Sequence, residues 1–594
     1  MSKQSDGFKA GLEIHQQLSG TKLFCNCPAQ IREDEPDFSV LRMIRASQGE
    51  SGDVDVAAAH AQSKQKKYVY QGYHDSTCLV ELDDEPVSAP SVRAVETAAM
   101  VSRMLGMTFV DTVHVMRKAV VDGSNTSGFQ RTMVVSLNGK INDVRVDRLC
   151  LEEDSCRVVS REQEQDIYNL SRLGIPLLEI TTLPDITSPE HLKETAKALG
   201  MVLRSTGRVK RGLGTIRQDV NISVSGGRRV EIKGVQDLDG MVVLAENESL
   251  RQQGLITLSK TLAKKDLSCS APKDVSSAFS KSTGWVAKAL KKDRVVGVRV
   301  SNLSGVLGTE LFPEYRVGTE LAGYAKAWGF GGIIHSDEDP KKYGLTSWDE
   351  VKKLLAVKND DAFFLLVGDV DRIKECVSVA LAPRITQFLE GVPSEVRKDN
   401  GDGTTTYLRP MPGAARMYPE TDVHTFSIKD VDVEVPELLS VRIPKLAKLH
   451  KISEDFVSEL IRQDRLELFE HWSQKLPATL VADVLVVREK DLKRRNNIDV
   501  DVLGVADELF LRIQNNEVSK DAVDDILTQF AKKGRVDWSS FKPVDEFELK
   551  RVIEDVVKKD PDAPFGALMG QAMKRLAGKA DGQTVSRLIK EALK

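Results

Sequence analysis

The chain has 594 residues, of which 41% are hydrophobic and 29% are charged, and its formal net charge is −4 at pH 7. This composition is typical of globular proteins, and the length predicts about four domains. No apolar run reaches the roughly 18 residues that a membrane-spanning helix needs, and the N-terminal residues lack the apolar segment of a signal peptide. We therefore expect a cytoplasmic protein that does not contact a membrane.

The first predicted strand, GLEIHQQL at 11–18, carries two ionisable side chains among apolar ones. Side chains alternate between the two faces of a strand, so Glu13 and His15 share one face. Charged groups are costly to bury unless they are paired or bind a metal ion. This strand is therefore the first candidate for a functional site.

The cysteines favour a reducing compartment and raise the question of a metal site. Their number is seven, which is odd and argues against a disulfide framework. Cys25, Cys27 and Cys78 form a partial ligand set for Zn²⁺, which commonly binds thiolates. The sequence shows no evident fourth ligand, although His74 is a candidate, and buried free thiols are the alternative interpretation.

Three segments in the first third of the chain have local structural signals. DGSNTSGFQR at 122–131 could bind an anion around Ser127 through backbone N–H groups, but a plain loop is equally compatible. VSLNGKINDVRV at 135–146 predicts a hairpin that turns at Asn138-Gly139. SPEHLKETAKALGMVLRSTG at 188–207 predicts a helix with Ser188 as its N-cap residue.

Carboxylates interrupt two apolar stretches. Glu152 and Glu153 end the stretch RLCLEED, and Glu179 lies inside IPLLEI, where an exposed position is not expected. If these acids and His15 converge on one sheet, they form a site for a hard divalent cation such as Mg²⁺. Magnesium sites commonly serve phosphate chemistry, so the pattern indicates phosphoryl transfer.

The segment 216–235 predicts a hairpin that turns at Gly226-Gly227. Strand periodicity places four polar residues on one face, where they could line a concave wall. These residues are Asp219, Asn221, Glu231 and Lys233. The alternative is an antiparallel sheet with one solvated face. The chain has no P-loop motif, so it is not a P-loop enzyme. The cations that phosphate chemistry needs could come from Arg117, Lys118, Arg217 and Lys233.

The rest of the chain changes character twice. Residues 283–404 have the pattern of a separate α+β module, residues 429–538 are almost wholly helical, and residues 539–594 form a tail with short amphipathic helices. We therefore predict an α+β fold. Its antiparallel-sheet catalytic cradle comprises 1–282 and 405–428, interrupted by the inserted module and followed by the helical domain and the tail.

Six motifs, in chain order, resemble one family: GLEIHQQL, LEED, SRLGIPLLEITTLPDI, IRQDVNIS, VEIKGV and RMYPETD. They resemble the B and E subunits of the amidotransferases that convert Glu-tRNA(Gln) to Gln-tRNA(Gln). Cys150 stands where the bacterial B subunit has a histidine, and AVVDGSNTSGFQR replaces its YFYPD-type stretch. Residues 283–404 resemble the insertion module of bacterial-type aspartyl-tRNA synthetases, which favours the archaeal E subunit.

The resemblance implies an enzyme that phosphorylates the γ-carboxylate of tRNA-borne glutamate with ATP and then amidates it with ammonia. The Mg²⁺ ligands would be His15, Glu153 and Glu179, with Glu13 close by. Alignment does not separate Glu152 from Glu153, so both are catalytic candidates. The resemblance and the polar strands together give these candidates for ATP binding: Arg117, Lys118, Ser127, Arg217, Asp219, Asn221, Glu231 and Lys233.

The resemblance also implies two partners. An asparaginase-like D subunit would supply the ammonia within a heterodimer, and tRNA(Gln) charged with glutamate would be the substrate. The tail would contact tRNA phosphates through Lys574, Arg575, Lys579, Arg587 and Lys590. Two alternatives remain: a non-catalytic tRNA-binding scaffold, and a stand-alone ATP-dependent ligase with its own source of ammonia.

Overall fold

The computed structural model describes residues 7–44, 67–120, 122–162, 165–280, 282, 285–411, 417–544, 546–561, 563–576, 580 and 582–593. Its mixture of helices and mainly antiparallel strands confirms the α+β class. The chain forms two compact units, Met1–Pro436 and Glu437–Lys594. The finer domain boundaries given above stay a prediction.

The described strands all belong to the first unit. In chain order they are β1 (Lys9–Gln17), β2 (Phe38–Arg42), β3 (Lys67–Gly72), β4 (Thr108–Phe109), β5 (Met116–Ala119), β6 (Phe129–Ile141), β7 (Val144–Glu153), β8 (Arg157–Arg161), β9 (Gln165–Asn169), β10 (Pro176–Thr182), β11 (Ile216–Ser223), β12 (Val230–Val235), β13 (Lys273–Asp274), β14 (Arg294–Val300), β15 (Glu310–Phe312), β16 (Tyr315–Arg316), β17 (Ile334–His335), β18 (Ala362–Gly368), β19 (Glu395–Asp399), β20 (Thr405–Pro410) and β21 (Met417–Pro419).

Eleven of these described strands form one central sheet. Its order is β20-β19-β12-β11-β1-β10-β7-β6-β5-β21, and β4 pairs with β6. Every pair is antiparallel except β12 with β19. Two smaller sheets have the orders β2-β3-β9-β8 and β13-β14-β18-β17, and β15 pairs with β16. Strand β1 therefore lies near the middle of the central sheet, between β11 and β10.

Helices cover one face of the central sheet and also pack against the smaller sheet β13-β14-β18-β17. In the first unit they are Val92–Met104, Pro189–Ser205, Leu238–Leu262, Trp285–Ala289, Val317–Ala327, Asp349–Leu355, Val370–Cys376 and Ala382–Gln387. The second and third of these pack against β1 and β11. The apolar side chains on the covered face, such as Leu12 and Ile14, are buried. The alternate side chains of the same strands form the opposite face, which we call the polar face.

Local signals predicted one element correctly and one wrongly. The helix Pro189–Ser205 begins as expected, with the hydroxyl of Ser188 accepting a hydrogen bond from the backbone N–H of His191 at 3.0 Å. The predicted position of the hairpin turn, Asn138-Gly139, is wrong, because β6 continues through both residues and the chain turns after Ile141. A Cβ on Gly139 would lie 2.4 Å from Met107, so glycine is required there for close packing.

The inserted module has its own small sheet and core, but its last strands join the central sheet. Val295, Phe363 and Leu365 are among its fully buried side chains. Residues 395–404 were predicted to belong to this module, and β19 within them pairs with β12. The central sheet therefore resumes at Glu395, before the predicted end of the module at residue 404.

A buried ion network lies where the long helix Leu238–Leu262 meets the inserted module. Glu320 accepts hydrogen bonds from Arg251 at 2.7 Å and from Arg384 and Arg397 at 3.2 Å. Two further carboxylates take part: Glu248 accepts a hydrogen bond from Arg251 at 2.8 Å, and Glu395 accepts one from Arg397 at 2.6 Å. The set therefore contains three positive and three negative side chains. We call these six residues the buried ion network.

The second unit is helical. Its described helices are Leu439–His450, Glu454–Arg462, Leu466–Ser473, Ala478–Val486, Arg488–Asn496, Leu503–Gln514, Val523–Lys533, Glu546–Lys559, Phe565–Leu576 and Gly582–Ala592. They form two hydrophobic clusters, one around Phe469 and Leu485 and the other around Leu568 and Leu588. Among the helices that the structure describes, in either unit, none combines the length and the hydropathy that crossing a bilayer requires.

Candidate active site

Strand register brings the predicted acids and the histidine together on the polar face. The Cα of His15 in β1 pairs with that of Glu179 in β10 on one side and with that of Arg217 in β11 on the other. Glu13 pairs in the same way with Asp219. Directly paired residues of neighbouring strands point to the same face, so segments that are distant in sequence meet here.

Three side chains form the centre of the site. The Nε2 atom of His15 lies 3.6 Å from a carboxylate oxygen of Glu13 and 3.5 Å from one of Glu179. One ligand atom from each residue lies within 4.8 Å of the other two, an arrangement that could hold a metal ion. We call Glu13, His15 and Glu179 the acid–histidine cluster.

Burial and charge act differently on the two acids of this cluster. Burial disfavours ionisation of Glu179, but its hydrogen bond with His15 and the charge of that ring outweigh burial and lower its pKa to about 2. Burial, followed by the charge of Glu179, raises the pKa of Glu13 to about 7. Burial also opposes protonation of His15, yet its interactions with Glu179 raise its pKa overall. The imidazole therefore only partly offsets the repulsion between the two carboxylates.

The structure separates Glu152 from Glu153. Glu152 lies on the polar face beside the cluster, and burial, followed by the charge of Glu179, raises its pKa. Its carboxylate is 3.9 Å from the Lys118 ammonium and accepts a hydrogen bond from Gln130 at 3.1 Å. Glu153 points to the opposite face, because successive side chains of a strand alternate. Of these two acids, only Glu152 meets the cluster, so the geometry does not match the predicted ligand role of Glu153.

Glu153 instead belongs to a small cavity on the other side of the sheet. Its carboxylate accepts a hydrogen bond from the backbone N–H of Arg131 at 2.8 Å, and Ser127 lines the same cavity. Arg117 also faces this side and pairs with Glu420, which in turn binds Arg131 at 2.7 Å. The structure therefore does not bring Arg117 and Ser127, two predicted ATP-binding residues, to the polar face beside His15.

The predicted wall of β11 and β12 forms as expected. Asn221 pairs with Glu231 across the hairpin, and the ammonium of Lys233 lies 2.5 Å from Asp219 and 2.7 Å from Glu231. The side-chain oxygen of Asn221 is buried and has no hydrogen-bond partner within the described residues. Arg217 continues the wall. Its guanidinium lies 3.0 Å from the buried carboxylate of Asp154. A bound ligand could satisfy the orphaned oxygen of Asn221.

Comparison with known proteins gives matches along most of the chain. A family model described as the GatB/GatE catalytic domain matches residues 8–434, and one described as the GatB domain matches residues 467–593. The chain belongs to the GatB/GatE family. Over 99% of this GatB/GatE chain and 98% of each relative, it is 41% identical to the E subunit of the glutamyl-tRNA(Gln) amidotransferase of Methanococcus maripaludis. The corresponding subunits of Archaeoglobus fulgidus and Methanocaldococcus jannaschii are 40% and 39% identical to it.

A second cluster in this GatB/GatE chain could also hold a metal ion. Cys25, Cys27, Cys78 and Glu81 each offer one ligand atom, and these atoms lie within 4.8 Å of one another. Burial raises the pKa of Cys78 to about 11, whereas the hydrogen bond with Cys25 is the main cause that lowers the pKa of Cys27 to about 7. The candidate His74 is not part of this group; its ring lies against Phe38, with ring centroids 5.4 Å apart.

Sequence reasoning missed several residues that the GatB/GatE fold places at these sites. Arg148 lies 3.8 Å from Glu179, and Gln130 contacts Glu152. Glu81 contacts Cys25 at 2.9 Å and also pairs with the buried Lys22 at 3.3 Å. Strand periodicity could have predicted Arg148, because it lies two residues before Cys150 in β7 and therefore on the same face of the strand. Glu81 lies in a loop, where no periodicity marks the direction of a side chain.

Proposed function

We propose that this chain activates the γ-carboxylate of a glutamate carried by tRNA(Gln), using ATP, and then directs ammonia to it. The observation that carries the proposal is the acid–histidine cluster on the polar face, where Glu13, His15 and Glu179 converge. The names of the similar proteins specify glutamyl-tRNA(Gln) and an amidotransferase, which supports this choice of substrate. The product would be Gln-tRNA(Gln) for translation in the cytoplasm.

The cluster fits a divalent cation. Two carboxylates and one imidazole face each other, and the excess negative charge would be offset by a bound cation. Oxygen-rich sites that also bind phosphates suit Mg²⁺, which would offset charge on the phosphate oxygens of ATP. His15 and Glu179 would hold the ion, with Glu13 or Glu152 completing the set of protein ligands.

The cations of the neighbouring strands would position the reacting phosphate. The ammonium of Lys233 lies 2.5 Å from Asp219, whose Cα pairs with that of Glu13, so its positive charge lies near the cluster. Lys118 and Arg148 approach from β5 and β7, at 3.9 Å from Glu152 and 3.8 Å from Glu179. These groups would orient the γ-phosphate of ATP toward the incoming carboxylate and offset its developing charge.

The chemistry requires two displacements. A carboxylate oxygen of the tRNA-borne glutamate forms a bond to the γ-phosphorus of ATP, the bond from that phosphorus to the β–γ bridging oxygen breaks, and ADP leaves. The nitrogen of ammonia then attacks the acyl carbon, and inorganic phosphate leaves with one of the protons of ammonia. Phosphorylation is needed because an ionised carboxylate is a poor acceptor for ammonia.

Ammonia would come from a separate subunit. The names of the relatives describe one subunit of an amidotransferase, and we propose an asparaginase-like D subunit as the partner of this chain in a heterodimer. The experiment uses the purified chain alone, with Glu-tRNA(Gln), ATP and Mg²⁺. We expect Gln-tRNA with ammonium chloride and almost none with asparagine or glutamine. Production from asparagine by this chain alone would show that no separate donor subunit is needed.

The alternative of a non-catalytic tRNA-binding scaffold makes the opposite prediction for the cluster. In a scaffold, Glu13, His15 and Glu179 could each be replaced without loss of Gln-tRNA formation by the complete enzyme. Under our proposal, His15→Ala prevents Gln-tRNA formation from ammonium chloride. The same variant should bind uncharged tRNA as wild type does, because these three side chains face the reacting groups.

The C-terminal helices are the proposed contact for the body of the tRNA. Lys574 and Arg575 end the helix Phe565–Leu576, and Arg587 and Lys590 lie in the helix Gly582–Ala592. Lys579, also predicted to contact tRNA, lies outside the described residues. Replacing Lys574 and Arg587 with glutamine should weaken tRNA binding and lower its salt dependence, because each phosphate contact releases counterions.

We further propose that the second cluster binds Zn²⁺. Three thiols and one carboxylate fit the four ligands of a structural zinc site, with Glu81 in the place that sequence reasoning left open. Elemental analysis of the purified chain should give about one zinc per chain, and Cys27→Ser should reduce this content. A purified protein that contains no bound metal would instead support the interpretation as buried free cysteines.

A further inference from the structure

The loop before β11 has an unusual apolar tip. Leu213 is 99% exposed, and no other large apolar side chain in the described part of the chain is as exposed. Single exposed leucines are common on protein surfaces, so exposure alone indicates nothing. What distinguishes this one is the loop that carries it, residues 207–215, which we call the leucine loop.

The leucine loop is anchored by a buried side chain of the site strand. Gln16, 3% exposed, donates hydrogen bonds from its side-chain nitrogen to the backbone oxygens of Lys210 and Thr215, both at 3.1 Å. The Thr215 hydroxyl donates to the backbone oxygen of Gly212 at 2.8 Å. Gly212 and Gly214, on either side of Leu213, have φ values of +104° and +79°, which favour glycine. The loop is thus built to present Leu213 outward.

The ionisable side chains of the leucine loop and its flanking residues are all basic. Residues 204–217 contain five basic side chains and no acidic one. Arg208 pairs with Glu96 at 2.6 Å, Arg217 pairs with Asp154 at 3.0 Å, and the ammonium of Lys210 donates a hydrogen bond to the backbone oxygen of Ala29. The segment therefore combines an apolar tip with a basic stem.

The leucine loop also lies next to the acid–histidine cluster. Arg217, whose Cα pairs with that of His15, follows Leu213 by only four residues. Four extended residues span at most about 14 Å, so Leu213 lies within reach of a substrate whose end enters the cluster. A group that binds the loop would therefore be attached to the reacting carboxylate or lie close to it.

We propose that the leucine loop binds the single-stranded 3′ end of the charged tRNA, with Leu213 packed against the face of a base. The inference rests on the proposed function, which brings that end to the cluster. Proteins bind single-stranded nucleic acid by combining basic grooves with side chains that contact base faces, and apolar side chains such as leucine can pack between bases. Basic residues and an exposed leucine within one short loop match both requirements.

The test compares two RNAs and three variants of the full chain. The RNAs are uncharged tRNA(Gln) and the same tRNA trimmed of its three 3′-terminal nucleotides, with dissociation constants measured by fluorescence anisotropy. Leu213→Ser should weaken binding of the intact tRNA about five-fold, as expected for loss of part of one buried leucine, and leave the trimmed tRNA unchanged. Leu213→Trp should bind the intact tRNA at least as tightly as wild type, because a flat ring also contacts a base.

The matched control is Leu449→Ser, which replaces a leucine that is 72% exposed in the second unit. We expect it to bind both RNAs as wild type does. The inference is overturned if Leu213→Ser binds the intact tRNA like wild type, or if it weakens both RNAs equally. Failure of the proposed function is a separate result, because it would appear as wild-type chain that forms no Gln-tRNA from Glu-tRNA(Gln) and ammonium chloride.

Discussion

Two regions of the first unit bury acidic side chains in opposite ways. In the buried ion network, three carboxylates face three guanidinium groups, and Glu320 alone accepts hydrogen bonds from all three arginines. In the acid–histidine cluster, Glu13 and Glu179 share one histidine at 3.5–3.6 Å, and Arg148 is no closer to Glu179 than 3.8 Å. The network balances its charges internally, whereas in the cluster two carboxylates share one imidazole, and the nearby cations lie 3.8 Å away or pair with other acids.

The difference shows how structural and functional burial of charge can be told apart. A structural network must satisfy its charges within the protein, because an unpaired buried ion is costly. A functional cluster can keep uncompensated charge, because a ligand completes it only when it binds. The number of partners per carboxylate and their distances therefore separate the two kinds of site here better than burial does.

The largest expected effect tests the functional side of this comparison. Glu179→Gln keeps the shape of the side chain but removes its charge, so we expect Gln-tRNA formation from ammonium chloride to fall about a thousand-fold, the order of a lost metal contribution. Binding of uncharged tRNA should stay near wild type. A large loss of tRNA binding together with intact ATP hydrolysis would contradict the assignment of Glu179.

The second prediction concerns the structural side. Glu320→Gln leaves three buried arginines with two carboxylates, so it should destabilise the first unit by about 3 kcal/mol. The measurement is urea-induced unfolding followed by circular dichroism. The control is Glu508→Gln, which removes one partner of the exposed pair with Arg512 at 2.8 Å and should cost no more than about 0.5 kcal/mol. If the two substitutions lowered the free energy of unfolding equally, the buried ion network would stabilise the fold no more than an exposed ion pair does.

The third prediction separates two neighbouring acids that the strand places on opposite faces. Glu152→Gln should raise the Mg²⁺ concentration needed for half-maximal Gln-tRNA formation about ten-fold, the order expected for a group that supports a metal site. Glu153→Gln should leave that concentration unchanged, because its carboxylate contacts Arg131 on the other side of the sheet. The reverse order would restore Glu153 as the metal ligand.

The fourth prediction concerns Glu420, an acid on the side of the sheet opposite the polar face whose charge is paired with two arginines. Burial disfavours ionisation of Glu420, but hydrogen bonds from Arg117 and Arg131 lower its pKa to about 2, from 4.5. A lowered carboxylate pKa stabilises the fold above about pH 4.5, and this stabilisation is lost as the pH falls toward 2. Glu420→Gln should therefore cost about 2 kcal/mol at pH 7 and progressively less below pH 4.5.

Comparison of thermal midpoints for wild type and variant across this pH range gives the test. Asp422→Asn is the control, because the carboxylate of Asp422 is half exposed and lies 3.3 Å from Arg117. We expect its effect to be small at every pH. A cost of Glu420→Gln that stays constant from pH 7 to pH 3 would mean that its charge is not what stabilises the fold.

Part of the site followed from local pattern. Alternation along single strands correctly placed Glu13 with His15, and Asp219 with Asn221, because the two-residue period is a property of any strand. Glu179 was recognised as a candidate because a carboxylate within an apolar run is costly to bury unless it is paired or binds a metal ion. The same rules failed for the turn at Asn138-Gly139, where close packing against Met107 rather than turn geometry required glycine.

The sequence by itself determined the class of fold, the family and the types of side chain available for chemistry, because alternation, capping and motif order are local properties. Only the tertiary structure decided which of Glu152 and Glu153 joins His15, since a shift of one residue in strand register reverses every side chain. Only the tertiary structure showed that Glu81, which lies in a loop, is close to the three cysteines. It also showed which buried acids have enough cations around them, because charge balance depends on neighbours that are far apart along the chain.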